Sequence, residues 1–188
     1  MNRIGLFFGT FDPLHNGHVA ISNYFISKLN LDELWLVVTP QNPFKNQDNI
    51  SDANKRLEIV SHYCDFNEKI KCVDIEFNLP SPNYTADTLD YLVNKNTNVN
   101  FFVLLGEDNL NSLHLWKNYE NILKLQVCVY PRKSMSNLSN SLLEHPNVKL
   151  HNAPVMDISS TKIREKKSKN ESIDHLVPKE ISEILTKP

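Results

Sequence analysis

Short apolar runs alternate with longer amphipathic segments along this chain. The runs have the length of strands, and several contain almost no polar residue, as is typical of parallel strands buried on both faces. Segments with helical spacing separate them, so the pattern predicts an α/β fold with a doubly wound, mostly parallel sheet of about six strands. The predicted strands are Ile4–Phe8, Leu34–Val38, Ile70–Ile75, Asn100–Leu105, Leu125–Tyr130 and Asn147–His151.

Apolar spacing and capping residues predict the helices between these runs. Ile21, Phe25 and Leu29 form the stripe of a first helix that Asn16 caps. Arg56, in the second helix, is either a ligand contact or a surface charge, and we expect it to lie on the surface. The remaining predictions are a helix from Ser51 or Asp52 to about Tyr63 with Leu57, Val60 and Cys64 inward, one capped by Asn83 or Thr85 with Leu89, Leu92 and Val93 inward, one capped by Ser159 or Ser160, and one from Pro178 with Ile181, Ile184 and Leu185 inward.

Composition narrows the class of protein. A chain of 188 residues, 40% of them hydrophobic, fits a single domain over residues 1–188, with the helices from about residue 159 packed on it. The net charge of −2 gives no basic field for nucleic acid, and no apolar run is long enough for a membrane helix. The three cysteines lack zinc spacing, and no signal-peptide layout is visible, so we expect a cytoplasmic protein with reduced thiols.

The loop after the first strand, Gly9–His18, concentrates unusual residues: two of the four glycines, a proline and two histidines. In an α/β protein this loop lies at the carboxyl edge of the sheet, where ligands bind. With Asn16 as cap, the N–H groups of the first turn would form an anion site. His15 and His18 are three residues apart and would face the same point. The alternative is a tight turn with two surface histidines.

A second candidate anion site lies near the other end, in the sequence ISSTKIR from Ile158 to Arg164. Ser159 or Ser160 would cap a helix there, leaving its first N–H groups for a phosphate. Helical side chains lean toward the N-terminus, so Arg164 can reach back to the same anion. The alternative is a capped surface helix, which explains its lysines well but the serines, threonine and arginine less well.

The two stretches together resemble the nucleotidyltransferase superfamily that carries an H-x-G-H motif. The resemblance implies a Rossmann-like nucleotidyltransferase fold, with His15, His18 and Arg164 as catalytic residues. It implies that both histidines contact the ATP phosphates, and that Ser160, Thr161 and Arg164 hold the β- and γ-phosphates. The full ATP site that it implies is Gly9, Thr10, Phe11, His15, His18, Gly106, Asp108, Ile158, Ser159, Ser160, Thr161 and Arg164.

The middle of the chain, in YTADTL and GEDNLNSLHLW, is similar to nicotinate-mononucleotide adenylyltransferases. In that family the threonine region borders the pyridine ring, and a proline-rich loop ends in His-Lys, where this chain has Phe44-Lys45. We expect backbone donors around Thr85 and Trp116 to bind the nicotinate carboxylate, since helix N-termini attract anions. The implied substrate-binding residues are Lys45, Tyr84, Thr85, Asp87, Trp116 and Arg132.

The resemblance implies transfer of adenylate from ATP to nicotinate mononucleotide, a step of NAD synthesis. The sequence has no covalent-catalysis motif, and a nucleotide phosphate is already a nucleophile at neutral pH because its second pKa is about 6. Mg²⁺ is expected to arrive with ATP without dedicated protein ligands, with Asp12 and Asp108 as the only carboxylates near the cleft. Phosphopantetheine or nicotinamide mononucleotide as acceptor, and a non-catalytic nucleotide sensor, are the alternatives. No nucleic-acid or membrane partner is expected, and the sequence leaves monomer and homo-oligomer open.

Overall fold

The computed structural model describes residues 1–44, 50–132 and 141–185. The described residues form a six-stranded sheet, all parallel, in the order β3-β2-β1-β4-β5-β6. The predicted fold class is therefore confirmed. The strands are β1 (Asn2–Gly9), β2 (Glu33–Val38), β3 (Ile70–Val73), β4 (Val99–Gly106), β5 (Gln126–Tyr130) and β6 (Val148–Leu150).

Helices cover both faces of this sheet, as a doubly wound fold requires. The helices are α1 (Asn16–Lys28), α2 (Ala53–Cys64), α3 (Thr85–Lys95), α4 (Glu107–Ser112), α5 (Tyr119–Ile122), α6 (Ser160–Ser168) and α7 (Lys179–Leu185), with 3-10 turns at Ile75–Asn78, Leu113–Leu115 and Ser141–Glu144. On one face of the sheet, Phe7 and Phe102 pack with apolar residues of α1, α2, α6 and α7. On the other face, Leu6 and Val103 pack with apolar residues of α3, α4 and α5.

The strand order places a switch point between β1 and β4, which are hydrogen-bonded neighbours. The chain leaves β1 toward β2 on one side and leaves β4 toward β5 on the other. Their connecting loops therefore diverge and open a crevice at the carboxyl ends of the two strands, the usual ligand position in such sheets. The crevice lies between the loop after Gly9 and the helix after Gly106.

Several local predictions were wrong in detail. The third strand ends at Val73, and the predicted strand residue Ile75 instead begins a 3-10 turn. Val93 is 41% exposed, because Leu89 and Leu92 already fill the inward side of α3. In α2 the predicted inward residues Val60, Leu57 and Cys64 do contact the core, Val60 fully buried and the other two half-buried, but the buried residues Ile59 and Tyr63 were not predicted.

Candidate active site

The loop after β1 is held in shape by aromatic packing. Phe11 has a φ of 46°, a left-handed conformation that non-glycine residues rarely adopt, and its side chain is buried. Its ring packs edge-on against Phe7 at 5.8 Å and His18 at 5.1 Å. A Cβ added at Gly9 would lie 2.8 Å from the Phe11 ring, so glycine is required at that position. The aromatic cluster fixes the plane of the His18 ring.

The two histidines of the motif cap α1 reciprocally. His15 Nδ1 accepts a hydrogen bond from the His18 backbone N–H at 3.4 Å, and His18 Nδ1 accepts one from the His15 N–H at 3.2 Å. The rings stack with centroids 3.6 Å apart. Because both Nδ1 atoms are acceptors, the hydrogen bonding assigns the proton of each ring to Nε2.

The predicted cap was wrong: His15, not Asn16, occupies the N-cap position. The Asn16 N–H donates to the carbonyl of Leu176 at 2.9 Å, and its side-chain amide donates to the carbonyl of His175 at 3.2 Å. The amides of Asn16 and His18 are thus bonded within the protein rather than directed at an anion. These two amides are therefore not donors for a phosphate, whereas the imidazoles of His15 and His18 line the cleft.

His15 is neutral near pH 7. Burial, followed by the positive charge of Arg132, lowers the pKa of His15 from its ordinary value of 6.5 to about 4. A neutral imidazole donates one hydrogen bond without carrying a charge. Among the described residues, Arg132 and Arg164 bring positive charge to the same cleft.

This pKa makes the fold sensitive to mild acid. The unfolded chain binds a proton at His15 below pH 6.5, whereas the folded chain does so only near pH 4, so stability falls as pH falls through that window. Between pH 7 and pH 5 we expect wild type to lose about 2 kcal/mol more than His15→Asn, which keeps a capping acceptor but cannot titrate. Urea unfolding of both proteins at the two pH values tests this, and parallel losses would contradict it.

The start of α6 is tied to the loop after β1. Ser159 accepts a hydrogen bond from the Lys162 N–H at 3.3 Å and is the N-cap. Ser160 Oγ donates to the Pro13 carbonyl at 3.1 Å. Arg164 donates to the Asp12 carbonyl at 2.7 Å and lies 3.5 Å from the Asp12 carboxylate. The two motifs predicted from opposite ends of the sequence are therefore in direct contact.

Arg56 is a functional residue that the sequence reasoning placed wrongly. It is 1% exposed, and its guanidinium donates to carbonyls of Thr10 at 2.6 Å, Thr39 at 2.9 Å and Pro40 at 2.9 Å. A further bond goes to the Ser51 carbonyl at 3.0 Å. This one side chain joins the loops that follow β1 and β2 to the start of α2, and so fixes the floor of the cleft.

Glu76 is a second residue that was missed, because it follows the predicted end of the third strand. It is 2% exposed, yet it lines the cleft, so Asp12 and Asp108 are not the only carboxylates there. Its Oε1 accepts a hydrogen bond from Thr88 Oγ1 at 2.7 Å, and its carbonyl accepts one from Asn83 Nδ2 at 2.8 Å. Burial raises the pKa of Glu76. These bonds anchor the segment that leads into α3.

The start of α3 differs from those of α1, α2 and α6, because no side chain caps it. Its N-cap is Tyr84, which makes no capping hydrogen bond, rather than the predicted Thr85 or Asn83. The first amides of α3 have no acceptor within the helix. Tyr84, Thr85 and Trp116 line a recess that opens beside the main cleft. The Trp116 N–H donates to the Leu113 carbonyl at 2.9 Å, so Trp116 offers its ring here rather than its amide.

The loops after β4 and β5 form the opposite wall. Arg132 Nε lies 3.5 Å from Asp108 Oδ1, and the Arg132 N–H donates to Glu107 at 3.2 Å. A Cβ at Gly106 would collide with the Asp108 carboxylate and lie 3.2 Å from the Tyr130 hydroxyl. Gly106 therefore permits the close approach of these loops that was expected from its position.

Most of the predicted site residues converge on one cleft with a volume of about 750 Å³. That lies in the upper part of the ~300–1,000 Å³ range of small-ligand pockets. Gly106, Ile158 and Tyr84 line smaller adjoining recesses. Asp87 lies outside these spaces and pairs with Lys117 at 2.7 Å, while Lys45 is outside the described residues. The cleft is lined by Gly9, Thr10, Phe11, His15, His18, Thr85, Asp108, Trp116, Arg132, Ser159, Ser160, Thr161 and Arg164.

Among the described residues, no group of three or more His, Cys, Asp and Glu side chains is arranged to hold a metal ion. Asp12 and Asp108 each face an arginine instead. Within residues 1–44, 50–132 and 141–185, no helix has the length and apolarity needed to cross a bilayer.

Comparison with known proteins agrees with this geometry. Residues 6–166 match the model of the cytidylyltransferase-like family. A relative from Flavobacterium psychrophilum, named "Probable nicotinate-nucleotide adenylyltransferase", is 44% identical over 95% of this chain and 93% of its own length. A relative of the same name from Cytophaga hutchinsonii is 44% identical over 97% of this chain and 95% of its own length.

Solved structures agree on the fold. Plasmodium falciparum nicotinic acid mononucleotide adenylyltransferase, complexed with NaAD, superposes with a TM-score of 0.78 at 22% identity, over 98% of this chain and 95% of that one. At 22% identity, this similarity is evidence for the fold alone. The chain belongs to the cytidylyltransferase-like family, in the branch whose members are named nicotinate-nucleotide adenylyltransferases.

Proposed function

We propose that this protein joins nicotinate mononucleotide to ATP, giving nicotinate adenine dinucleotide and pyrophosphate. The observation that carries the proposal is the single cleft at the β1–β4 switch point. One end of it holds His15, His18 and Arg164, and the other opens to Trp116 and the uncapped start of α3. A phosphate-binding end and an aromatic end suit the two substrates of this reaction.

ATP would occupy the end formed by the loop after β1 and the start of α6. The Nε2–H groups of His15 and His18 would donate to its phosphates, and Arg164, with Ser160 and Thr161 beside it, would hold the β- and γ-phosphates. Ile158 and Gly17 line a neighbouring recess, which we assign to the adenine ring. This arrangement places fixed donors where charge develops on the departing pyrophosphate.

The mononucleotide phosphate would attack the α-phosphorus of ATP. The phosphate is largely dianionic at neutral pH, so no general base is needed. A bond forms from a mononucleotide phosphate oxygen to Pα, the bond from Pα to the bridging oxygen breaks, and the electron pair leaves with pyrophosphate. The protein's task is to bring two anions together in line and to stabilise the charge, which we assign to the histidines, Arg164 and Arg132.

The nicotinate carboxylate would bind the start of α3. Thr85 and Ala86 line the recess at a helix start that no side chain caps, and the positive end of the helix dipole favours an anion there. Trp116 would stack on the pyridine ring, with Tyr84 beside it. Asp87 would act through its ion pair with Lys117. Lys45 stays a proposed contact to the acceptor.

Mg²⁺ enters the proposal as part of the substrate MgATP. Since Asp12 is bonded to the Ser51 N–H at 3.0 Å and Asp108 faces Arg132, ATP oxygens and waters would supply the metal's ligands. When bound, the ion neutralises charge on the pyrophosphate. A cytoplasmic location belongs to the same proposal, because the three free cysteines suit a reducing compartment.

The test is pyrophosphate release with MgATP and three acceptors: nicotinate mononucleotide, nicotinamide mononucleotide and phosphopantetheine. We expect strong preference for the nicotinate form. Comparable rates with the amide would keep the reaction class but overturn the account of the carboxylate. Activity with phosphopantetheine alone would overturn the acceptor, and no activity with any of them would favour a nucleotide sensor.

A further inference from the structure

Phe44 is an exposed aromatic residue at the mouth of the candidate acceptor site. It is 60% exposed, which is unfavourable for a side chain of its size unless something covers it. Its ring lies nearly parallel to that of Trp116, at an interplanar angle of 23° with centroids 6.0 Å apart. Both rings line the same recess as Tyr84 and Thr85.

We propose that Phe44 is a specificity-determining residue, the second wall of an aromatic slot that holds the acceptor's ring against Trp116. This inference rests on the proposed function, because the ring it would hold is the pyridinium of nicotinate mononucleotide. A ring in contact with both walls needs about 3.5 Å on each side, so the walls must stand about 7 Å apart. The two ring centroids lie 6.0 Å apart, so Phe44 must move outward by at least about 1 Å to admit a ring between the two faces.

The backbone around Phe44 supports such a wall. Its N–H donates to Asn42 Oδ1 at 2.8 Å, closing a local turn. Gln41, the residue before Asn42, is bonded to Asn83 in both directions. Its N–H donates to Asn83 Oδ1 at 3.2 Å, and its carbonyl accepts from the Asn83 N–H at 3.0 Å. The start of the loop is therefore fixed to the segment that leads into α3, and the Phe44 side chain can adjust without moving it.

The charge of the ligand explains why two aromatic faces suit it. The ring nitrogen of a pyridine mononucleotide is bonded to ribose, so the ring is cationic, and aromatic faces attract cations. A protonated histidine at position 44 would repel this ring, whereas phenylalanine presents only its face. The nearby Lys117 is paired with Asp87 at 2.7 Å and lies over the Tyr84 ring at 4.9 Å, so its charge is already partly neutralised.

The same geometry permits an opposite arrangement, in which Phe44 occupies the ring's place on Trp116 and must be displaced. The two arrangements predict opposite effects of Phe44 on the affinity for the acceptor. A wall strengthens acceptor binding, whereas a cover competes with it. A wall also binds the ring equally in the ground and transition states, so its loss would raise KM for the acceptor with little change in kcat.

The experiment uses tryptophan fluorescence, since Trp35 and Trp116 are the only tryptophans in the sequence. In a Trp35→Phe background, nicotinate mononucleotide is titrated without ATP, so that no turnover occurs, and quenching of Trp116 gives Kd. We expect Phe44→Ala to raise Kd roughly 5- to 30-fold, as loss of one aromatic face implies. Phe44→His should weaken binding of the acceptor more at a pH below 6 than at pH 8, because the histidine is then protonated. KM for ATP should not change in either variant.

Phe66→Ala is the matched control, because Phe66 is 63% exposed and does not line the cleft or the recess. Equal Kd for wild type and Phe44→Ala would overturn the inference, and tighter binding by Phe44→Ala would show a cover instead of a wall. Either result would overturn the inference while wild type still turns over nicotinate mononucleotide, so the proposed function would stand. If wild type neither binds nor turns over that acceptor, the proposed function fails and the inference falls with it.

Discussion

His18→Asn is expected to lower kcat about 100- to 1,000-fold while the protein stays folded. Asparagine can place an oxygen near the position of Nδ1, so the hydrogen bond that His18 accepts from the His15 N–H is kept. It cannot place a donor at the position of Nε2, which we assign to the ATP phosphates. Loss of one fixed donor to developing transition-state charge costs about that factor. Steady-state pyrophosphate release and thermal unfolding measure the two effects.

His18→Gln is the matched comparison. Glutamine can reach the Nε2 position with its amide but lacks the acceptor near Nδ1, so it should be the less stable and the more active of the two variants. His18→Ala lacks both groups, and we expect weak ATP binding to survive while turnover collapses. If the asparagine variant were as active as wild type and the glutamine variant were not, His18 would serve only to cap α1.

The fold could be predicted because its causes are local. β1, β2, β4 and β5 are nearly continuous apolar runs, and buried parallel strands require that pattern. The loop after β1 could be placed at a ligand-binding edge because loops at the carboxyl ends of parallel strands share one edge. Its pairing with the start of α6 came instead from the resemblance of the two motifs to the H-x-G-H nucleotidyltransferases.

The predictions that were wrong concern residues whose hydrogen-bonding partners lie far away in the sequence. Asn16 reads as a good N-cap, but its N–H bonds to the carbonyl of Leu176, and no local pattern signals such a contact. Glu76 follows an apolar run and reads as a loop residue, although Thr88 and Asn83 bury it. Each of these polar groups took its position from a partner in a different element.

Arg56 is different, because the sequence held a signal for it. The buried residues of α2 are Arg56, Ile59, Val60 and Tyr63, spaced i, i+3, i+4 and i+7 on one helical face. A charged residue on the same helical face as a row of buried apolar residues is either buried with hydrogen-bonding partners or marks the place where the buried face ends. The prediction for Arg56 followed the general preference of arginine for solvent rather than its position on the buried face of the helix, and it was wrong.

Arg56→Met is expected to lower the free energy of unfolding by about 3–5 kcal/mol, because each buried carbonyl left without its charged donor costs roughly 1–3 kcal/mol. Methionine replaces much of the volume but leaves the carbonyls of Thr10, Thr39 and Pro40 without their donor. It also removes a positive charge near the buried carboxylate of Asp12. Urea unfolding at pH 7 measures the loss, and turnover should fall with it because the cleft floor loosens.

Lys55→Met is the control, since Lys55 is the neighbouring cation on the same helix and is exposed. It should change stability by no more than about 0.5 kcal/mol, as surface substitutions usually do. Arg56→Lys should recover little, because an ammonium offers three donors from one point, whereas the guanidinium reaches four carbonyls in different directions. If Arg56→Met lost less than about 1 kcal/mol, the loops after β1 and β2 would be holding their shape without it, and Arg56 would not be what fixes the cleft.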